Sequence, residues 1–183
     1  MKNKDNHNLL ILKVLELFID NPYDEFYLRE IARKLNINPN TAQRFLNYFL
    51  DEKFVIENKK ANLRYFKANV DSVVFRHMKK TYSIKKIFDS ELIDYLKNCE
   101  FNYVVLFGSV AKGEDRVSSD IDLVCIGKRK KLELEKYYKK LSKEINIHIF
   151  SFVEWKKQKS DNQAFYDDVI LTGINLIGEM PLV

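Results

Sequence analysis

The sequence predicts an α/β protein of the α+β type, built from two parts. Apolar residues recur with a helical period through residues 9–50, and a short hairpin pattern follows them. Beyond about residue 70, short apolar strand patterns alternate with helical ones, which favours a small mixed sheet flanked by helices. We therefore divide the chain into residues 1–70, a connecting helix over residues 71–89, and residues 90–183.

Composition excludes several classes of protein. The chain has 183 residues and is 46% hydrophobic, which is enough for one medium core or two small ones. Its longest apolar runs are far shorter than the roughly 20 residues of a membrane span, and residues 1–8 are too polar for a signal peptide. Cys99 and Cys125 lack the spacing of a zinc site or a disulfide framework. We expect a cytoplasmic protein without membrane contact, with both cysteines reduced and buried.

Three helices are predicted in the first part. The first ends before Asn21-Pro22, and the second runs from about Tyr27 to Leu35. Asn38 is suited to cap the third helix, with Pro39 at its first position. The first helix takes its apolar positions from Leu9, Leu12, Val14, Leu15 and Phe18.

The third helix has one apolar and one polar face. Its buried stripe comprises Ala42, Phe45, Leu46, Phe49 and Leu50, so four polar side chains face outward: Asn40, Gln43, Arg44 and Asn47. The next residues predict a strand, a basic turn around residues 58–62, and a returning strand with Leu63 and Tyr65.

In its order of elements, this part resembles the winged helix-turn-helix family of bacterial and archaeal regulators over residues 8–70. The resemblance implies a recognition helix at residues 39–50, a wing at residues 58–64, and DNA as a partner. Asn40, Gln43, Arg44 and Asn47 would then face base edges, and Lys59, Lys60 and Arg64 would neutralise phosphates. A helical bundle that makes only protein contacts is the alternative.

Two further helical patterns occupy residues 73–98, and Asp89 or Ser90 is suited to cap the second of them. The first of these helices could be a spacer or a contact between the subunits of a homodimer.

A glycine-serine turn follows the first strand of the second part. Tyr103–Phe107 is a continuous apolar run rich in β-formers, and it ends at Gly108-Ser109. A helix that begins just after such a turn directs unpaired backbone N–H groups outward, which favours a phosphate. A Walker A loop is excluded because Lys112 precedes Gly113 and Glu114 follows, and a dinucleotide-binding fingerprint is also absent.

Two carboxylates lie at the start of the next strand. In the segment from Asp120 to Ile126, Asp120 and Asp122 are two residues apart, so their side chains share a face with alpha carbons roughly 6.6 to 7 Å apart. Carboxylates at this spacing can hold one or two magnesium ions.

Gly108-Ser109, ten intervening residues and Asp120-x-Asp122 together resemble the signature of the DNA polymerase beta-like nucleotidyltransferase superfamily, and the compact size resembles its minimal branch. The resemblance covers residues 90–183. It implies Mg²⁺, a nucleoside triphosphate such as ATP, and transfer of a nucleoside monophosphate with release of pyrophosphate. Ser109, beside Gly108, would contact phosphate, and Asp120 and Asp122 would be the metal ligands and catalytic residues.

Minimal nucleotidyltransferases often resemble antitoxins that modify a partner toxin. The resemblance therefore implies a protein or RNA acceptor, such as a cognate toxin. Both motifs in one chain indicate a winged unit that either targets the enzyme or controls transcription of its own gene.

The sequence departs from the family pattern at the third carboxylate. In the strand Glu144–Phe150, Ile145, Ile147 and Ile149 take the core face, which places Asn146 at the position of the third acid. Asparagine ligates magnesium weakly and cannot accept a proton. Glu144 is a substitute carboxylate, and His148 is either a base or a structural residue.

This departure favours an alternative function, a transcriptional regulator whose degenerate transferase domain senses nucleotide. The remaining pattern predicts a helix that ends near Gly173 and a strand over Ile174–Ile177, with Trp155, Phe165 and Tyr166 as packing residues.

Overall fold

The computed structural model describes the backbone of residues 2–183 and the side chains of residues 10–183. The chain forms two compact units, which divide between Met78 and Lys79. This boundary lies inside the segment that the sequence predicts as a connecting helix. None of the helices in the described part of the chain has the length and apolarity that a bilayer crossing requires.

The first unit contains three helices, α1 (Lys2–Asp20), α2 (Leu28–Leu35) and α3 (Pro39–Asp51), as the sequence predicts. Its three strands are β1 (Phe26–Tyr27), β2 (Val55–Lys60) and β3 (Leu63–Ala68), which form an antiparallel sheet in the order β1-β3-β2. The strand β1 was not predicted, because two residues are too few to show a period.

Local chemistry explains how α2 ends and α3 begins. Asn36 takes a left-handed conformation with φ 51°, and its backbone N–H donates to the last carbonyls of α2. The Asn38 side chain accepts a hydrogen bond of 2.8 Å from the backbone N–H of Asn40, and Pro39 occupies the first position of α3. The predicted cap is confirmed.

Two details of the first unit correct the sequence interpretation. Leu12 is 53% exposed and does not belong to the buried stripe of α1, whereas Val14, Leu15 and Phe18 are buried. The side chain of Leu9 lies outside the described side chains. The hairpin turn consists of Ala61 and Asn62, because β2 continues to Lys60 and pairs with β3 up to that residue. The basic residues predicted in a turn therefore lie on strands.

The second unit is a four-stranded sheet with helices on both faces. The strands are β4 (Tyr103–Phe107), β5 (Ile121–Ile126), β6 (Ile145–Phe150) and β7 (Ile174–Ile177), in the order β6-β5-β4-β7. Strands β5 and β6 are parallel, and the other pairs are antiparallel. The helix α4 (Val73–Asp89) begins in the first unit and continues into the second. The other helices of the second unit are α5 (Leu92–Asn98), α6 (Gly108–Lys112), α7 (Glu135–Leu141), α8 (Phe152–Asp161) and α9 (Gln163–Thr172).

The alternation along the strands builds two cores, one on each face of the sheet. Leu106, Leu123 and Ile145 pack with residues of α4, α5, α6 and α7 on one face. Val105, Phe107 and Val124 pack with Trp155, Tyr166 and Val169 on the other. Asp122 lies between Ile121 and Leu123, so its side chain shares the face of Phe107 and Val124.

The second unit confirms the buried cysteines and packing residues but not the predicted cap of α5. The N-cap residue is Glu91, whose side chain makes no capping hydrogen bond, whereas the neighbouring Ser90 hydroxyl accepts a hydrogen bond of 3.2 Å from the backbone N–H of Leu92. Cys99 and Cys125 are buried and free, and burial raises the pKa of the Cys125 thiol to about 12. Trp155 is fully buried, and its indole N–H donates to the Pro181 carbonyl at 2.7 Å.

Candidate active site

The turn after β4 is shaped by a glycine. Gly108 begins α6 with φ 72°, a left-handed conformation that favours glycine. A Cβ at this position would lie 2.7 Å from Oδ2 of Asp122. Gly108 therefore gives the Asp122 carboxylate its space, a role that the sequence alone did not indicate. The neighbouring Ser109 is half-buried in the first turn of α6.

The two aspartates are held by pairing on both sides of β5. Asp120 directly precedes β5, and the backbone N–H of the next residue, Ile121, donates to the Glu144 carbonyl at 2.8 Å. Asp122 pairs with Phe107 of β4 and with Asn146 of β6. Both aspartates are half-buried, so their carboxylates lie at the edge of the core and remain open to a ligand.

Asn146 connects the two carboxylates. Its Nδ2 donates to Oδ2 of Asp120 at 3.0 Å and to Oδ1 of Asp122 at 3.3 Å. One oxygen of each carboxylate is thus directed at a single atom. Among the described side chains, no lysine, arginine or histidine forms an ion pair with either carboxylate. The predicted register is confirmed, and the amide is the polar partner that both aspartates share.

This donor set fits a magnesium ion. Magnesium prefers oxygen ligands and is commonly bound by one or two carboxylates, with substrate phosphates completing its shell. Asp120 and Asp122 supply converging carboxylate oxygens, and rotation of the Asn146 amide would present its Oδ1 in place of Nδ2. No three His, Cys, Asp or Glu residues converge in the part of the chain whose side chains are described, so a third carboxylate ligand is not assembled there, and the Asn146 amide is the side chain in contact with both aspartates.

Glu144, which directly precedes β6, and His148, on β6, are the two alternative groups, and neither joins the two aspartates. Glu144 is exposed and does not form a convergent acidic group with the aspartates in the described part of the chain, so the substitute carboxylate that the sequence suggested is not assembled. The His148 ring lies 5.8 Å from the Phe107 ring and 5.5 Å from the Phe165 ring, measured between centroids. His148 therefore packs in the aromatic cluster beside the site.

Sequence reasoning missed two lysines near the site. Lys112 donates to Oδ1 of Asp168 at 2.7 Å, which ties α6 to α9. Lys143 donates to the backbone carbonyls of Arg116 and Ser119 at 2.7 and 3.0 Å. The partners of both lysines are distant in sequence, so periodicity and motif spacing give no signal for either contact.

The polar residues predicted on α3 lie at the surface of the first unit. Asn40, Arg44 and Asn47 are exposed, and Gln43 is half-buried. Gln43 Nε2 donates to Asn47 Oδ1 at 2.8 Å, so these two side chains form one polar pair on α3.

The basic residues of the hairpin have acidic partners. Arg64 makes a bidentate contact with Glu57, at 2.7 and 2.6 Å, and this guanidinium holds the pKa of that carboxyl below its usual value. Lys60 pairs with Glu25, and the ammonium lowers the pKa of Glu25 in the same way. Lys59 is exposed.

Residues 90–180 match the family model described as Polymerase beta, Nucleotidyltransferase. The match covers nearly all of the second unit, including the turn at Gly108 and the residues Asp120, Asp122 and Asn146. It supports nucleotidyl transfer in general, and proteins of this type generally use divalent metal ions. A comparison with curated proteins finds no match.

Proposed function

We propose that the second unit transfers a nucleoside monophosphate from a nucleoside triphosphate, with ATP as the first candidate, to a protein or RNA acceptor. The observation that carries the proposal is the convergence of Asp120 and Asp122 on one point. Within a domain that matches a nucleotidyltransferase family, two carboxylates with no cationic partner among the described side chains are suited to a metal-bound triphosphate.

Different residues would bind the metal ion and the phosphate groups. Asp120, Asp122 and the Oδ1 atom of Asn146 would hold magnesium, which when bound neutralises charge on the phosphate oxygens. Ser109 would contact a phosphate through its hydroxyl and backbone N–H, since it lies in the first turn of α6 beside Gly108. Gly108 keeps Asp122 in place because any larger residue would collide with its carboxylate.

Few side chains at the site can accept the proton that the acceptor hydroxyl releases. The acceptor oxygen forms a bond to the α-phosphorus, and the bond to the α–β bridging oxygen breaks as pyrophosphate leaves. The acceptor hydroxyl loses its proton in this step, and the amide of Asn146 cannot take it. Asp120 and Asp122 are the proton acceptors within the group of three side chains, so one carboxylate would serve as ligand and base. We expect slower proton transfer than in a site with a third carboxylate.

The test uses ATP labelled in its α-phosphate. The protein is incubated with this ATP, magnesium and cell extract, and label on protein and RNA is measured. We expect a variant with Asp120→Ala and Asp122→Ala to give no label above background. The matched control is Asp94→Ala, which removes an exposed carboxylate from α5. Equal labelling by the double variant would overturn the assigned site.

A second function is favoured by the hydrogen bonds of Asn146. Because this amide donates to both carboxylates and cannot accept a proton, the second unit could bind nucleotide without turnover and act as the sensor of a transcriptional regulator. This function predicts ATP binding without pyrophosphate release, together with turnover created by Asn146→Asp. Turnover by the wild-type protein would eliminate it.

We propose DNA binding for the first unit in both cases. The support is the exposed polar face of α3, in particular Arg44 and Asn47, which lies beside a capped helix start. The measurement is the affinity of the protein for its own promoter DNA, with Arg44→Ala compared with Lys13→Ala, an exposed cation on α1. Loss of a base contact would cost about 1–3 kcal/mol of binding free energy. Equal affinities of the two variants would reject α3 as the recognition helix.

A further inference from the structure

A buried ion cluster lies in the loop that leads to Asp120. Asp115 is 5% exposed and Lys79, on α4, is 2% exposed. The Lys79 ammonium pairs with both the carboxylate and the backbone carbonyl of Asp115. The second oxygen of Asp115 lies 3.3 Å from Nζ of Lys143. One buried carboxylate thus lies between two cations.

Lys143 binds this loop at three points. Its Nζ donates to the carbonyl of Arg116 at 2.7 Å and to that of Ser119 at 3.0 Å, in addition to its ion pair with Asp115. An ammonium has three N–H groups, and all three contacts fall on residues 115–119. Its side chain is 21% exposed, against 77% for Lys139, which only pairs with Glu135 one turn away on α7.

The same contacts reach Asp120 from both sides. Ser119 directly precedes Asp120, and its backbone N–H bonds the Arg116 carbonyl at 3.1 Å, so the loop is closed where Lys143 binds it. After Asp120, the backbone of Ile121 bonds Glu144. The segment 143–146 thus contacts residues 119, 120 and 121 in turn, through an ammonium, an amide and a backbone carbonyl.

From this geometry we infer that Lys143 is a positioning residue for Asp120, and that Asp115 and Lys79 orient Lys143. Without the ammonium, the carbonyls of Arg116 and Ser119 lose their shared donor, and Asp120 is no longer held in place to accept the hydrogen bond from Asn146. This inference rests on the proposed function, because the metal role of Asp120 gives its position a consequence. A cluster that only stabilises the fold would leave the site unchanged in any variant that still folds.

The first measurement follows the site directly by NMR. The side-chain NH₂ resonances of Asn146 are assigned by their loss in Asn146→Asp. In Lys143→Met we expect them to move toward their positions in Asp120→Ala, because the hydrogen bond to Asp120 is lost. Lys143→Arg, which keeps a donating cation, should restore most of the wild-type shift, and Lys139→Met is the matched control. Resonances of Lys143→Met that coincide with wild type would overturn the inference.

The second measurement is the affinity for Mn²⁺, followed by electron paramagnetic resonance without nucleotide. We expect Lys143→Met to weaken it about tenfold, as for other outer partners of metal ligands, while Lys139→Met leaves it unchanged. An NMR shift without a change in affinity would overturn the positioning role. If the wild-type protein binds no Mn²⁺ either alone or together with ATP, the proposed function fails, and the NMR comparison alone decides whether Lys143 positions Asp120. If Lys143→Met does not fold, Lys143→Gln takes its place in both measurements.

Discussion

The hairpin of the first unit and the site of the second unit differ in how their charged side chains are paired and exposed to solvent. On the hairpin, Arg64 and Lys60 pair with Glu57 and Glu25 at the protein surface, where solvent reaches both partners. In the second unit, Lys79 and Asp115 pair out of solvent, and Asp120 and Asp122 have an amide as their shared partner.

The difference concerns which charges are available to a ligand. An exposed ion pair contributes little to stability, so its cation can leave the carboxylate for a phosphate at small cost. A buried pair cannot be opened cheaply, because the remaining charge would be left without compensation. The hairpin cations are therefore suited to exchange partners, whereas the proposed roles of the buried cluster and of the two aspartates are to fix a position and to bind a cation.

The largest effect on stability is expected when the buried pair of Lys79 and Asp115 is broken. Lys79→Met should lower the free energy of unfolding of the second unit by about 3 kcal/mol, because Asp115 would keep only its contact with Lys143. The exposed counterpart, Arg64→Met, should cost about 1 kcal/mol or less in the first unit. Urea unfolding measures both changes. Equal costs would show that burial does not separate the two kinds of pair.

Gly108→Ala should give the next largest effect. The left-handed conformation costs alanine about 1–2 kcal/mol, and the new Cβ would lie 2.7 Å from Oδ2 of Asp122. The control is Gly178→Ala, at φ 70°, whose Cβ would collide with the Asn102 carbonyl instead. Both variants should unfold at lower urea, and only Gly108→Ala should lose Mn²⁺ affinity. Loss of affinity in both would remove the specific role of Gly108.

Asn146→Asp removes the amide that donates to both Asp120 and Asp122 and tests whether a metal ion can replace it. We expect the metal-free variant to lose about 1 kcal/mol of stability, because a hydrogen-bond donor becomes a third negative charge. Magnesium should restore that loss, since a ligand that binds the folded state stabilises it. Thermal unfolding with and without magnesium measures this, and Asn175→Asp, at an exposed position on β7, is the control. If magnesium did not stabilise Asn146→Asp more than it stabilises Asn175→Asp, a metal site at Asp120 and Asp122 would be contradicted.

Glu57→Gln tests whether the hairpin cations can be released. Removal of this carboxylate frees Arg64 from its bidentate pair, so we expect DNA affinity to rise severalfold and its salt dependence to steepen by about one phosphate contact. Glu16→Gln, on α1, makes the same change in net charge and should have a smaller effect. If both variants bind DNA equally, net charge alone accounts for the gain.

The smallest expected effect is the weakening of the Glu57–Arg64 pair at low pH. The pKa of Glu57 is lowered by the Arg64 hydrogen bonds, from an ordinary value of 4.5. A carboxyl whose folded-state pKa is depressed contributes stability above its unfolded value, and this contribution is lost as the pH falls through the folded value. We therefore expect the hairpin pair to weaken only below pH 4.5. An NMR titration of the Glu57 carboxyl that gives 4.5 or more would contradict this pairing in solution.

Local patterns predicted most of the helices and strands, although α7 and α8 received no specific prediction. The helix α3 with its cap at Asn38 and the strand β7 follow from spacing and from capping chemistry, which act over a few residues. The two-residue strand β1 could not be predicted, since it depends on pairing with β3 about 40 residues further along the chain. The partners of Lys60 and Arg64 also escaped prediction, because pairing within the hairpin and with Glu25 decides them.

By itself, the sequence determined which side chains share a face: Asp120 with Asp122, and Asn146 with its neighbours two residues away on β6. Alternation in a strand is a property of the backbone and needs no knowledge of the fold. Only the tertiary structure decided that β5 and β6 lie side by side in parallel, with Asp122 opposite Asn146 and Lys143 bound to the loop before Asp120. Those contacts join residues 24 to 26 positions apart, and the packing of the whole unit, which no local pattern encodes, sets their distances.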